Sequence, residues 1–143
     1  LFLILGAISF AAPKFVDMAK VKNAGYVIKN EREDILTMAT SDDDSAIIIS
    51  FSTINMSSKE ISDLLKSNAL RDSGNFIATL DNNRAYINEF EAQGFYSYMI
   101  VPKKEKVKNQ HTYATYVSSK KLSKNDLSKI TNAILDEAES YIK

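Results

Sequence analysis

The chain has one histidine, His111, and no cysteine, and these two counts settle much of the chemistry open to it. Acyl transfer through a Ser-His-Asp relay needs an imidazole beside an exposed serine. No serine stands in a G-x-S-x-G turn, and the four glycines, at 6, 25, 74 and 94, are too scattered to build a phosphate-cradling loop. His111 is expected at the head of a strand, as a surface residue without a catalytic role. Thiolate nucleophiles, thiolate metal sites, disulfides and a lipid-modified N-terminal Cys are excluded by composition.

The carboxylates offer two further arrangements. Asp42, Asp43 and Asp44 are the densest acidic run, and a hard cation needs several such oxygens converging on one point. They fail the EF-hand spacing, because Ala46 stands where the third ligand should be and no Gly follows, so a solvated turn is expected. Glu89 and Glu91 share a face of one strand, as a glycosidase acid and base would. Same-face glutamates near a strand end ordinarily face solvent, and nothing else in the chain supports hydrolysis. No metal site and no cofactor are therefore expected.

Binding is the remaining class. Lys103, Lys104, Lys106 and Lys108, with Lys120, Lys121 and Lys124, place seven lysines between positions 103 and 124. If the start of the last helix lies beside the loop carrying the first four, they form a basic patch. Such a patch suits an acidic partner: a protein, an anionic lipid surface or a cell-wall polymer. The candidate binding residues are accordingly Lys103, Lys104, Lys106, Lys108, Lys120 and Lys121. The whole molecule has no net field, since 18 basic residues balance 18 acidic ones, and a specific nucleic-acid partner is not expected. The aromatic group Phe95, Tyr96, Tyr98, Tyr113 and Tyr116 is read as core in preference to a binding platform.

The elements that must position these residues are well punctuated. With 45% hydrophobic and 25% charged side chains over 143 residues, one globular domain is expected. Ala46 to Ile54 is the most strand-like run, with Ile47, Ile49 and Phe51 on one face at period two. Before it, Gly25 opens a strand over Tyr26 to Lys29, and Asp34 to Thr40 forms a second. After it, Ser57 and Glu60 have capping-box spacing, which predicts a helix from about Ser58 to Leu70. Its stripe of Ile61, Leu64 and Leu65 would cover the Ile47, Ile49 and Phe51 face. Strands follow over Asn75 to Leu80, Arg84 to Phe90, Phe95 to Val101 and His111 to Ser118, separated by Asp81-Asn82-Asn83, Gln93-Gly94 and a long basic loop. Ser123 then caps a final helix whose apolar face is Leu127, Ile130, Ile134, Ala138 and Tyr141. The order βββαββββα predicts an α+β domain over residues 25–143: an antiparallel sheet of six to seven strands with two covering helices.

Residues 1–11 read as the end of an export signal, apolar and finishing in small residues, with Ser9 and Ala11 placed as in a signal-peptidase site. Residues 12–24 read as an irregular lead-in or a short helical turn. A run of about 12 apolar residues falls short of the roughly 20 that cross a bilayer. A periplasmic or secreted protein, with no stable membrane span after cleavage, is expected.

The segments Ala46 to Ile54 into Ser57 to Leu70, Asn83-Arg84-Ala85-Tyr86-Ile87 into Phe95 to Val101, and Thr112 to Ser118 into Ser123 to Ile142 resemble the PsbP/DcrB-like fold in their order. The resemblance spans Gly25 to Lys143 and implies an exported accessory or binding protein without catalytic activity. The expected function is a small non-enzymatic module recognising a protein or a component of the bacterial envelope. The alternatives are a toxin-neutralising immunity protein and a carboxylate-dependent hydrolase. A pocket gathering His111 with acidic groups would count against a scaffold without a reactive centre.

Overall fold

A computed structural model describes residues 12–72 and 74–143; the expected leader, residues 1–11, lies outside the described residues. The elements are α1 (Met18–Asn23), β1 (Val27–Arg32), β2 (Ile35–Ser41), β3 (Ser45–Thr53), α2 (Ser58–Arg71), β4 (Asn75–Asp81), β5 (Ala85–Ala92), β6 (Phe95–Pro102), β7 (Gln110–Ser118) and α3 (Lys124–Ser140). All seven strands join one antiparallel sheet in the order β1-β2-β3-β7-β6-β5-β4, an α+β fold as expected.

Local chemistry sets the turns. Asp42 Oδ1 accepts the backbone N–H groups of Asp44 and Ser45, each at 2.8 Å, so the acidic run folds on itself as a turn between β2 and β3. Asn82 does the same between β4 and β5, accepting from Arg84 and Ala85 at 2.9 and 2.7 Å. Gln93 and Gly94 take φ of 53° and 84°, the left-handed pair that a two-residue hairpin turn between β5 and β6 requires. The α2 capping box forms as read, with Ser57 Oγ accepting Glu60 N–H at 3.1 Å and Glu60 Oε1 accepting Ser57 N–H at 3.0 Å.

One sheet face carries Leu36, Met38, Ile49, Phe51, Ile87, Ile100 and Ala114, all buried. Leu127, Ile134, Leu135 and Ala138 of α3 pack against it, together with Phe15, Val16 and Val21. Residues 13–24, expected as a lead-in, thus supply core residues as well as a short helix. They are held by a bridge between Val16 and Ile142 and by Asp17 N–H donating to Tyr141 O at 2.7 Å.

The reading of α2 needs correction. It lies on the opposite face, across β5 and β6, burying Ser58, Ile61 and Ser62, while Leu64 is 43% exposed. Both faces of β5 and β6 are apolar, with Phe90 and Val101 on one and Ile87 and Ile100 on the other, so each needs its own cover. A helix about 10 Å across spans two strands spaced about 4.8 Å apart, which leaves β1, β2, β3 and β7 without a helix on that side among the described residues.

Candidate functional site

The site forms where β7 begins. The loop over residues 103–109 returns tightly because Asn109 takes φ 66°, and Ile54 N–H donates to Asn109 O at 2.9 Å, tying the loop to the end of β3. Glu105, the one acid among its lysines, turns inward: its Oε2 accepts Asn109 N–H at 3.1 Å and lies 3.0 Å from His111 Nε2. No hydrogen bond of good geometry joins the two, so the buried Nε2 has no directed partner among the described residues.

His111 is not a surface residue. Its side chain is 3% exposed, because β7 lies between β3 and β6 and pairs His111 with Ser52. A cavity of about 70 Å³ opens beside it, with Phe15, Leu135 and Ile142 from the α3 side of the sheet and His111 and Ser58 from the α2 side. Glu139 of α3 completes the polar rim and is held by Arg84 at 3.3 Å and Lys106 at 3.4 Å. The structure therefore gathers His111 with two carboxylates, the arrangement that counts against a scaffold without a reactive centre. This volume is about half that of an apolar cavity that accepts benzene, so a short aliphatic group fits it and a sugar ring does not.

A row of hydroxyls continues from the site along β2, β3 and β7. Thr37 Oγ1 and Ser50 Oγ are 3.2 Å apart, and Tyr113 lies opposite Ser50. Burial pushes the Tyr113 phenol up, while hydrogen bonds to Ser52 and Ser50 pull it back. Further along, Asn88 donates to Ser62 of α2 at 3.1 Å and accepts from Thr79 at 2.9 Å.

The lysines do not make one patch. Lys103 is engaged by Asp81 at 2.6 Å and lies over the Tyr86 ring, and Lys106 is paired with Glu139. Lys104 lines the cavity, and Lys104 and Lys108 are exposed without an ion pair among the described residues. Lys120 and Lys121 follow the far end of the nine-residue β7. At about 3.3 Å per residue, that strand alone sets them roughly 25 Å from the loop. Lys124, three residues further on, lines a hollow beside the β4–β5 turn.

Glu89 and Glu91 do share a face, opposite Tyr98 and Tyr96 of β6. Glu89 is 2% exposed, its Oε2 has no hydrogen-bond partner among the described residues, and none of the cavities described here reaches it. The aromatic group also divides. Tyr98 is fully buried and its oxygen accepts Leu122 N–H at 2.8 Å; Tyr96 and Tyr116 pack on the same core; Tyr113 lies on the other face and Phe95 is exposed.

The sequence reading passed over Glu105, Glu139 and Phe15. Only Glu105 left a signal, as a lone acid in a basic loop. Among the described residues no three His, Asp or Glu side chains are placed to hold a metal ion, and no helix is long and apolar enough to cross a membrane. Comparison with protein-family models, with curated proteins and with solved structures finds no match to this chain.

Proposed function

We propose that this chain is a small exported, non-enzymatic module that binds a protein or an envelope component, and that the cavity beside His111 is its binding centre. The supporting observation is the convergence of His111, Glu105 and Glu139 on walls made by Phe15, Leu135 and Ile142. A few polar groups set into a mainly apolar hollow are the usual makeup of a ligand site. Its size suits a short aliphatic side chain presented by a partner. The leader-like residues 1–11 support export to the periplasm or medium, and the PsbP/DcrB-like order of elements supports an accessory role. A toxin-neutralising immunity protein is one form such a module takes.

The test is photo-crosslinking in the producing cell from position 107, at the rim of the cavity, against position 121, beyond the far end of β7. A partner captured from 107 and not from 121 is the expected result. Equal capture from both, or capture from 121 alone, would remove the cavity from the interface.

The His111–Glu105 contact favours one second reading: hydrolysis with His111 as general base, in place of a Glu89 and Glu91 pair. It requires turnover of small ester substrates that falls roughly a hundredfold or more in His111→Gln. An inactive wild-type chain would end it.

A further inference from the structure

The loop over residues 103–109 is fastened at several points and still turns an aliphatic side chain outward. Lys103 N–H donates to Arg84 O at 2.9 Å, Gln110 N–H to Val107 O at 3.1 Å, and Ile54 N–H to Asn109 O at 2.9 Å. Val107 is nevertheless 53% exposed at the rim of the cavity, and Ile54, tied to the loop through Asn109, is 37% exposed. The charges of the loop are unevenly used. Lys103 is taken by Asp81, Lys106 by Glu139, and Glu105 turns in toward His111. Lys104, which lines the cavity, and Lys108 are exposed with no ion pair among the described residues. A fixed backbone thus presents two unpaired cations and an aliphatic rim around a mainly apolar hollow.

With the cavity as the binding centre, on which this step rests, we propose that its mouth takes an acidic segment of a protein partner: one short aliphatic side chain enters the cavity, and neighbouring carboxylates meet Lys104 and Lys108. The walls set the aliphatic part. Phe15, Leu135 and Ile142 enclose a volume of about 70 Å³, which admits a single small side chain. Charge sets the acidic part. Glu139 is held by Arg84 and Lys106, and Glu105 by Asn109 N–H and His111. The field left over at the mouth is therefore that of Lys104 and Lys108, and it attracts an anion.

An anionic bilayer fits this mouth less well than a protein segment does. Clusters that hold anionic lipid carry about four to eight basic residues, whereas the loop has two free ones, and a flat lipid surface offers no side chain to fill a hollow. A polyanionic polymer likewise lacks the aliphatic group. The loop backbone is already bonded in place, so little ordering is needed when the segment arrives.

The single histidine makes the test direct, because its ring C–H resonances are the one imidazole set of the chain. The probes are end-blocked pentapeptides: Asp-Asp-Val-Asp-Asp, the same peptide with Ser for Val, and the same with Asn for every Asp. The first is expected to move the His111 resonances saturably and to bind roughly tenfold more tightly than either control. Lys104→Glu combined with Lys108→Glu is expected to weaken it by roughly the same factor, and raised salt to weaken it in the wild-type chain. Both lysines are exposed and unpaired among the described residues, so the double variant keeps the fold. Equal binding of the Asn peptide, or indifference to the double substitution, would overturn the acidic partner and leave the cavity as the binding centre. Equal binding of the Ser peptide with unmoved His111 resonances would overturn both the proposal and the role of the cavity. No saturable shift from any peptide at millimolar concentration, or binding to phosphatidylglycerol vesicles in place of the peptides, would also overturn the proposal.

Discussion

The two faces of the sheet solve the problem of burial in opposite ways. The face under α1 and α3 is an apolar layer, with Leu36, Met38, Ile49, Phe51 and Ile100 essentially inaccessible. The face under α2 holds most of the buried polar side chains: Ser50, Ser52, Ser58, Ser62, Asn88 and His111. On the α2 side hydroxyls and amides find one another across strands, as Thr37 with Ser50 and Asn88 with Ser62 and Thr79. Buried polar atoms without a hydrogen-bond partner among the described residues fall on both sides, Glu89 Oε2 and Thr131 Oγ1 on the apolar one and His111 Nε2 on the other. The apolar layer stabilises by exclusion of water, and a polar group within it depends on the few partners it meets, as Glu89 does on Tyr98. The polar layer holds most of its side chains in directed contacts, and the cavity draws from it the one imidazole, whose Nε2 has no such contact among the described residues.

The sharpest way to break this comparison is to substitute each face in turn. Phe51→Ala on the apolar face removes a fully buried ring that also packs edge-on against Phe15. It is expected to lower the free energy of unfolding by about 3–5 kcal/mol, read from the urea midpoint. A change below 1 kcal/mol would mean that the face is not the main core. Asn88→Ala on the polar face strands Ser62 and Thr79 without their shared partner, and a loss of about 1–3 kcal/mol is expected from the same measurement. Equal effects from the two substitutions would erase the distinction between faces.

The smallest effect is expected at alkaline pH. Burial raises Tyr98, fully buried on the apolar face, to about 12; its bond from Leu122 N–H opposes the shift and Glu89 adds to it. Tyr141, at the end of α3, is also raised to about 12 by burial and then by Glu137. Both phenols titrate near 10 when unfolded, so the folded chain holds the two protons more tightly. Their contribution is complete below about pH 10 and is lost as pH rises from about 10 to about 12. Tyr98→Phe should make the decline across that window shallower. An unchanged slope would show that Tyr98 is not the group responsible.

Short-range signals in the chain were enough to place nearly every element. Period-two alternation located the seven strands, Ser57 with Glu60 and Ser123 with Asp126 began the two long helices, and Gln93-Gly94 gave the hairpin turn. These depend on residues a few positions apart, so they can be read without knowing the fold. The absence of cysteine and of a Gly-rich loop excluded whole classes of chemistry in the same way. Which face each helix covers was not legible, because an apolar stripe records that it needs a partner and not which partner. The candidate site was largely illegible too. Strand order brings Ser52 of β3 beside His111 of β7, and packing of α3 brings Glu139 to Arg84 and Lys106. The same strand order separates the two lysine groups. Only tertiary structure turned His111 from a strand-end residue into a buried imidazole beside Glu105, since burial depends on what lies on both sides of a strand.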